Sequence, residues 1–296
     1  MRRIVLAALT GNRLARLASA WVLIVIIGAL LGVPLSGWDP EAIDWDAMES
    51  APDGAHWFGT DLLGRDLFSR IMLGAQVSLS VAAVATGVSV LIGVPFGAFS
   101  GLRGGRTDQL MMRLVDVLYA VPFILIVILL MVVFGRNPTL FYVALGAVYW
   151  LDIARIVRGQ ALSVRERGFI QAARSLGAGR LRILFQHVVP NVAGPALVYA
   201  TLTIPAVILA ESFISFLGLG IQEPDTSWGV LIADGARTME SAPWTLFFPA
   251  LFLGLTVWCF NMLGDRLRDQ YDLETRGRAA ILSSDTLERD TERTRA

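Results

Sequence analysis

The chain has 296 residues, of which 55% are hydrophobic and only 17% charged, and its formal net charge is zero. A mean hydropathy of +0.60 excludes an ordinary soluble domain. The length leaves room for about six membrane spans of roughly 20 residues each, so the composition predicts an all-α polytopic membrane protein. All 25 basic residues are arginine, so the chain lacks the lysine with which a nucleotide-binding P-loop reaches the terminal phosphates.

Six apolar runs predict membrane-spanning helices. In chain order they are Leu17–Leu35, Val77–Ser100, Leu114–Phe134, Leu140–Ile156, Val192–Phe216 and Leu246–Leu263. The fourth run is short for a hydrocarbon core of about 30 Å and contains Asp152. The first run has the position of a secretion signal. It is long for one, however, and no A-x-A-like cleavage site follows, so we expect a retained anchor.

The arginines predict which side of the membrane each loop faces, because short cytoplasmic loops accumulate basic residues. The N-terminus, the loop at 101–113 and the loop at 154–189 hold four, three and seven arginines, whereas the loops on the other side hold four in total. Both chain ends are therefore expected in the cytoplasm.

This orientation divides the chain into three parts. Residues 1–75 comprise a cytoplasmic segment, the first span and an extracytoplasmic loop, and that loop carries eight acidic residues between positions 36 and 75. Residues 76–265 form a transmembrane domain of five helices. Residues 266–296 form a cytoplasmic tail.

The cytoplasmic segment at about 163–189 has the pattern of a water-facing helical hairpin. Its first half carries apolar or small side chains at i, i+3, i+4 and i+7, namely Phe169, Ala172, Ala173 and Leu176. This spacing places them on one face of a helix, which Gly177 can end in a left-handed conformation. The second half repeats the spacing at Leu181, Leu184, Phe185 and Val188. It predicts a second short helix, closed by Pro190.

We interpret the face of the first helix as a docking surface for another protein. Ala172 and Ala173 permit close approach by a second backbone. The predicted contact residues are Gln171, Ala172, Ala173 and Gly177, flanked by Phe169 and Leu176. The alternative is an amphipathic helix lying on anionic headgroups. Two alanines at its centre would bury little area in lipid, which favours docking.

The spans hold few groups that could titrate inside a membrane. Three acids lie at or near membrane depth, all towards the ends of their runs: Asp116, Asp152 and Glu211. Ion-coupled carriers place acidic or histidine side chains near the midplane, so the pattern argues against a secondary carrier. A membrane-embedded enzyme is also disfavoured, because Cys259 and the two histidines, His56 and His187, supply no catalytic or metal-binding constellation. We predict no catalytic residue and no metal site.

Four stretches carry a family resemblance. They are the hairpin with Gln171-Ala172-Ala173 and Gly177, the segment Phe58–Asp66, the segment Leu209–Gly220 followed by Ser227–Gly229, and the segment Asn261–Asp269. From Gly59 to Asp272 the chain resembles the C-type permease of bacterial ATP-binding-cassette importers for dipeptides and oligopeptides. The hairpin is similar to the EAA loop of that family, with Gln171 where glutamate is commoner. The other motif residues, expected to be structural or extracytoplasmic, are Gly59, Thr60, Asp61, Gly64, Arg65, Asp66, Glu211, Gly218, Gly220 and Trp228.

The resemblance implies a type I ABC importer transmembrane fold in the bacterial cytoplasmic membrane. It also implies a homologous second permease, two cytosolic P-loop ATPases and an extracytoplasmic substrate-binding protein, with lipid around the spans and no nucleic acid. ATP and Mg²⁺ would be held by the ATPases, so this chain would bind no cofactor of its own. The EAA helix would sit in a cleft of an ATPase, and closure of the ATPase dimer would rock the spans.

Several alternatives stay open at this point. Related importers carry nickel chelates, glutathione or sugars as well as peptides. The segment from Gly59 to Asp66 is either a seat for the binding protein or a turn in which Asp61 or Asp66 caps a helix. Glu211 is either the partner of an arginine of this or the neighbouring subunit or, as we prefer, a water-facing group at the outer end of its span. Trp228 is expected to anchor or pack.

Overall fold

The computed structural model describes residues 7–134 and 137–295, which are mostly helical. The helices are α1 (Arg13–Ser36), α2 (Leu67–Arg103), α3 (Gly105–Ala120), α4 (Phe123–Phe134), α5 (Pro138–Arg165), α6 (Gly168–Ser175), α7 (Arg180–Ile183), α8 (Val189–Phe216), α9 (Trp228–Arg237) and α10 (Trp244–Arg295). A short 3₁₀ turn lies at Trp45–Ala47, and a π-helical turn, Leu184–Val188, joins α7 to α8.

The helices confirm a polytopic membrane protein of about six spans. Five of them are long and apolar enough to cross a membrane: Arg13–Ser36, Leu67–Arg103, Thr139–Arg165, Arg180–Phe216 and Trp244–Leu273. A sixth span exists if α3 and α4, which meet at an angle of 79°, are counted together.

The third predicted span, Leu114–Phe134, is not one continuous helix. It is broken at Val121, which has the extended conformation φ −87°, ψ 126°. The cause is Pro122, because a proline has no N–H to donate and its ring pushes the preceding residue out of the helical region. Hydropathy alone could not show the break, since the residues on both sides of it are apolar.

The fourth predicted span, Leu140–Ile156, is shorter than the helix that contains it. The helix α5 continues to Arg165, and Asp152 therefore lies halfway along it instead of near an end. The polar continuation is stabilised by α3, because Arg158 donates two hydrogen bonds to Asp108, at 2.5 and 2.6 Å. Asp108 also accepts from Ser100 on α2 at 2.6 Å. The predicted run ended at Ile156, whereas the helix continues for nine more residues to Arg165.

The prediction that Pro190 closes a second short helix was wrong. Helical structure runs from Arg180 through the π turn into α8, with Pro190 in the first turn of α8. A proline is tolerated there because the wider π turn relieves the clash with the preceding turn. The side-chain amide of Asn191 donates to the carbonyl oxygen of His187 at 2.7 Å, which satisfies one backbone acceptor near the irregularity.

Two ends of the helical bundle differ in charge. We call residues 37–66 and 217–243 the acidic end, and residues 103–107 and 165–182 the arginine-rich end. The bundle is built around the pair α2 and α5, whose backbones approach closely at Gly93, Gly97 and Gly101. A Cβ atom on Gly97 would overlap the carbonyl oxygen of Ala154. These glycines therefore permit α2 and α5 to pack closely.

The buried apolar residues form two clusters. One fills the half of the bundle nearer the acidic end and includes Trp228 and Phe141, both fully buried. The other fills the half nearer the arginine-rich end and includes Ile153, Ile170 and Ile183. The second cluster is what positions the hairpin.

Candidate functional site

The hairpin at the arginine-rich end has the turn that the sequence predicted. Gly177 adopts φ +81°, in the left-handed region. The N–H of Gly177 donates to the carbonyl of Arg174 and the N–H of Ala178 donates to the carbonyl of Ala173, both at 3.0 Å. This is a Schellman motif, which satisfies carbonyls at the end of α6 that have no intrahelical partner.

Ile170 holds the hairpin against the bundle, although it lies outside the apolar face predicted from the sequence. Its side chain is fully buried and belongs to the same cluster as Val164, Ile183 and Leu184. Ile170 lies about 100° around the helix from Phe169. A search for one apolar face centred on Phe169 therefore leaves it out. The usable signal was the pair of β-branched residues Ile170 and Ile183, one in each arm of the hairpin.

Most of the predicted docking residues are brought together and exposed. Leu176 is 88% exposed and Phe169 41% exposed. Gln171, Ala172 and Gly177 are also exposed, whereas Ala173 is half-buried against the cluster that contains Ile170. Leu181 and Phe185, exposed by 66% and 58%, extend this surface onto the second arm. We call the surface formed by Phe169, Gln171, Ala172, Leu176, Gly177, Leu181 and Phe185 the hairpin face.

A cleft of about 600 Å³ separates the hairpin from the corner between α2 and α3. Its lining includes three arginines, Arg103, Arg174 and Arg180, together with apolar side chains such as Phe99 and Leu102. The hairpin face thus borders a recess with positive charge. Such a recess suits a partner surface that carries acidic side chains.

The segment from Gly59 to Asp66 is a tightly built entry to α2. Asp66 caps the helix, because its carboxylate accepts from the backbone N–H of Ser69 at 2.8 Å, and it also contacts Nδ1 of His56 at 3.0 Å. Gly59 and Gly64 both have left-handed φ angles, +76° and +75°. A Cβ atom on Gly64 would overlap the carbonyl oxygen of Asp44. Of the two cap candidates, Asp66 is the one that caps α2.

The other charged motif residues of this segment cross-link the acidic end. Asp61 accepts from Nε of Arg65 at 2.8 Å, and its Oδ2 lies 3.3 Å from the buried guanidinium of Arg70. Arg65 also donates to Glu223 at 2.9 Å. Burial works to lower the pKa of Arg65, but the carboxylates of Asp61 and Glu223 outweigh it and raise that pKa above its ordinary value. Thr60 accepts from the N–H of Ser50 at 2.8 Å and is fully buried.

Glu211 is not water-facing, so the preferred expectation for it was wrong, and no arginine in the described part of this chain pairs with it. Its side chain is fully buried. The carboxylate accepts from Ser215 at 2.7 Å, from Ser78 on α2 at 3.0 Å and from Ser212 at 3.3 Å. Hydroxyl donors can satisfy a buried carboxylate in place of a counter-charge. We call Glu211 with these three serines the Glu211 cluster.

The Glu211 cluster pins the chain that folds back after α8. The N–H of Ile221 donates to Ser215 Oγ at 3.3 Å, and the N–H of Trp228 donates to Ser78 Oγ at 3.4 Å. Gly218 ends α8 with φ +74°. A Cβ atom on Gly220 would overlap the hydroxyl of Ser215. The structure therefore brings Glu211, Gly220 and Trp228 together around one buried carboxylate.

Trp228 has the packing role that was expected. It is fully buried, and its indole Nε1 donates to the carbonyl oxygen of Ile71 at 3.2 Å.

Residues 93–277 match the family described as binding-protein-dependent transport system inner membrane component, which is more than half of the chain. The chain belongs to this family. The matched region of this inner membrane component contains both the hairpin face and Glu211, whereas the segment from Gly59 to Asp66 precedes it. The family resemblance drawn from the sequence motifs is confirmed, and the chain is a transport subunit.

Curated relatives of this inner membrane component are similar over most of their length. The chain is 48% identical to the oligopeptide transport system permease protein OppC of Haemophilus influenzae, over 86% of this chain and 84% of the relative. It is 49% identical to OppC of Escherichia coli K12, over 88% of each chain. It is 44% identical to the dipeptide transport system permease protein DppC of Bacillus subtilis, over 90% of this chain and 84% of the relative.

Proposed function

We propose that this chain is the permease subunit of an ATP-driven importer that moves dipeptides and oligopeptides across the bacterial cytoplasmic membrane. Support for the peptide cargo comes from the relatives, which are named oligopeptide and dipeptide permeases and share 44–49% of their residues with this chain. The importer would contain a homologous second permease, two cytosolic P-loop ATPases and an extracytoplasmic binding protein. ATP and Mg²⁺ would bind to the ATPases.

The hairpin face is the observation that carries the coupling role. Exposed apolar side chains such as Leu176 mark a protein contact when they form a patch on a water-facing surface. The arginine-rich end is the cytoplasmic end by the distribution of charge. With that orientation, both chain termini and the hairpin lie in the cytoplasm, where a cytosolic ATPase can reach Phe169, Ala172 and Leu176.

The connection between hairpin and spans suits the transmission of movement. Helical structure is continuous from Arg180 at the hairpin to Phe216 at the acidic end. The other arm leaves α5 at Arg165, and Ile170 fixes it to the same apolar cluster. A displacement of the hairpin by closing ATPases would therefore move α8 as a rigid rod, without loss in a flexible loop. Rocking of α8 against its neighbours would open the path to one side or the other.

The coupling role is tested by blocking the hairpin face. Ala172→Trp places a bulky side chain at the centre of the face, where the sequence has a small one. We expect the ATPases to dissociate from the purified complex, while the permease still inserts. The matched control is Gln109→Trp, an exposed position two residues beyond the arginine-rich end at 103–107 and off the hairpin. Equal ATPase retention by both variants would refute the assignment of the hairpin face.

The cargo is tested by uptake into proteoliposomes that contain the complete complex. We expect ATP-dependent accumulation of labelled peptides, in competition with unlabelled ones. Accumulation of a nickel chelate, glutathione or a sugar with no peptide uptake would place the chain in the same importer class with a different cargo.

A further inference from the structure

Four polar side chains lie on the outside of the chain within its membrane-spanning helices. Asp116 and Tyr119 belong to α3, and Asp152 and Arg155 belong to α5. Arg155 donates to Asp116 at 2.7 Å, and the Tyr119 hydroxyl donates to Asp152. The Arg155 guanidinium lies 4.1 Å from the centre of the Tyr119 ring. We call these four residues the intramembrane cluster.

The intramembrane cluster lies within the membrane-spanning part of the chain. Asp152 is in the middle of α5 and is separated from Arg165 by 13 residues, which is about 20 Å along a helix that rises 1.5 Å per residue. Asp152 and Arg155 both lie inside the apolar run Leu140–Ile156, in a helix long and apolar enough to cross a membrane.

The exposure of these charges excludes a lipid-facing position. The side chains of Arg155 and Asp116 are 44% and 55% exposed, and Asp152 is also exposed. A charged side chain at the centre of a membrane helix costs about 2.5–3.5 kcal/mol by insertion scales, and such residues face water or protein in membrane proteins. This side of α3 and α5 therefore faces a polar environment in the assembled transporter.

The helix break between α3 and α4 lies beside the cluster. Tyr119 is in the last turn of α3, and the break follows at Val121 and Pro122. Val121 is 45% exposed, so this chain does not fully cover the break. Irregular backbone at membrane depth occurs where it lines a cavity or is buried in protein, and broken helices often form substrate sites. The break is thus an independent sign that this side faces a water-filled path or another protein subunit, and not lipid.

We propose that the intramembrane cluster lines the translocation path and binds the charged termini of the peptide cargo. The carboxylates of Asp116 and Asp152 would receive the α-ammonium group, and the guanidinium of Arg155 would receive the α-carboxylate. Arginine suits this role because its planar fork matches a carboxylate with two parallel hydrogen bonds. Termini are common to peptides of every sequence, so such a site accepts varied side chains. The inference rests on the peptide-import function proposed above.

The cluster suits a passing cargo better than a permanent contact with the second permease. Its charged groups already have partners within this chain, since Arg155 pairs with Asp116 and Asp152 accepts a hydrogen bond from the Tyr119 hydroxyl. It therefore needs no partner charge to be stable in a water-filled path. Burial of the same groups in a permanent interface would remove them from water, and this desolvation penalty can exceed the attraction between the charges. A zwitterionic peptide can instead exchange with the internal pairs and leave again.

The test measures which positions are open to water and to peptide in the complete complex. Single cysteines are introduced into a Cys259→Ala background, in which the buried native thiol is absent. Asp152→Cys replaces a cluster residue. Gly159→Cys lies two turns further along the same exposed face of α5, has open space around its Cβ atom and removes no charge.

The control is Leu91→Cys on α2, which is 75% exposed and apolar. It lies 12 residues before the end of α2 at Arg103, or about 18 Å along the helix, so its depth is similar to that of Asp152. A membrane-impermeant thiol reagent reacts with the thiolate form of cysteine. An apolar environment that raises a thiol pKa by one unit lowers the fraction of thiolate about tenfold. We therefore expect Asp152→Cys and Gly159→Cys to react at least about tenfold faster than Leu91→Cys.

Cargo contact is then tested by protection. Tetra-alanine is added at saturating concentration to the nucleotide-free complex and is expected to slow labelling of Gly159→Cys. Its N-acetylated, C-amidated form, which lacks both charges, is expected to protect less.

Three results would overturn the proposal. If Asp152→Cys and Gly159→Cys are labelled as slowly as Leu91→Cys, this side of α5 faces lipid. If they are labelled slowly and Asp152→Cys cross-links to the second permease, this side of α5 faces that subunit. Rapid labelling without protection would show a water path without cargo contact. Equal protection by the charged and the blocked peptide would show that binding does not depend on the charged termini. Uptake of labelled peptide by the same preparation is measured first, because its absence would refute the import function itself.

Discussion

The left-handed turn at Gly177 offers a test of coupling with a built-in control two residues away. Gly177 and Gly179 are both exposed, and a Cβ atom at either position meets no atom within 4 Å. They differ in backbone conformation, with φ +81° at Gly177 and φ −65° at Gly179. Replacing each by valine therefore adds the same side chain in open space. Only the conformational cost differs.

The magnitude follows from that difference. An L-residue in the left-handed conformation costs about 1–2 kcal/mol, and a β-branched residue tolerates it poorly. Gly177→Val should thus shift the equilibrium between the native turn and other turn conformations by roughly 5- to 30-fold. Gly179→Val should cause no comparable shift, because valine readily adopts an extended backbone. Asparagine accepts the left-handed region better than other non-glycine residues, so Gly177→Asn should fall between them.

The assay is ATP hydrolysis stimulated by peptide-loaded binding protein, measured with peptide uptake in the same proteoliposomes. We expect Gly177→Val to insert and to lose most of this stimulation and of the peptide carried per ATP. Gly179→Val should retain both. Identical behaviour of the two valine variants would refute the argument, because it would show that the left-handed turn does not govern coupling.

Three further predictions concern the anchors of the fold. Ile170→Ala should lower the free energy of unfolding by about 2–5 kcal/mol, measured by thermal unfolding, because it removes a fully buried side chain. Leu176→Ala should change that free energy by less than about 0.5 kcal/mol. It should instead lose ATPase binding, measured by co-purification. Glu211→Ala should destabilise the protein more than Glu211→Gln, because alanine leaves buried serine hydroxyls without an acceptor at about 1–3 kcal/mol each, and equal melting temperatures for the two variants would contradict the Glu211 cluster. The backbone N–H of His56 donates a hydrogen bond to the Asp53 carboxylate and lowers the pKa of Asp53 below its ordinary value of 3.8. The stabilisation that this bond gives to residues 53–56 is therefore present above pH 3.8 and is lost as the pH falls through the lower, folded-state pKa. The protection of the His56 amide, measured as its hydrogen-exchange rate relative to the intrinsic rate at each pH, should therefore fall in that acidic range in the native chain and show no such pH step in Asp53→Asn.

The amino-acid sequence determined the features that depend on neighbouring residues. The number of spans follows from the length of apolar runs, since each run must match the hydrocarbon thickness. The first arm of the hairpin follows from the 3.6-residue period, and its end follows from Gly177, because glycine alone enters the left-handed region without steric cost. The motifs around Gln171 and Glu211 were enough to indicate the family.

Only the tertiary structure decided where polar groups lie in depth and what they contact. Ser78 and Glu211 are 133 residues apart in the chain, so no local pattern could show that the serine hydroxyl satisfies the buried carboxylate. Asp152 lies halfway along α5 because Arg158 pairs with Asp108 on another helix, which stabilises the continuation of α5 past its apolar run. Ile170 is an anchor because Ile183 and Leu184 pack beside it after the chain has turned. The energy of a polar or apolar side chain depends on what surrounds it, and in this protein those surroundings come from helices distant in sequence.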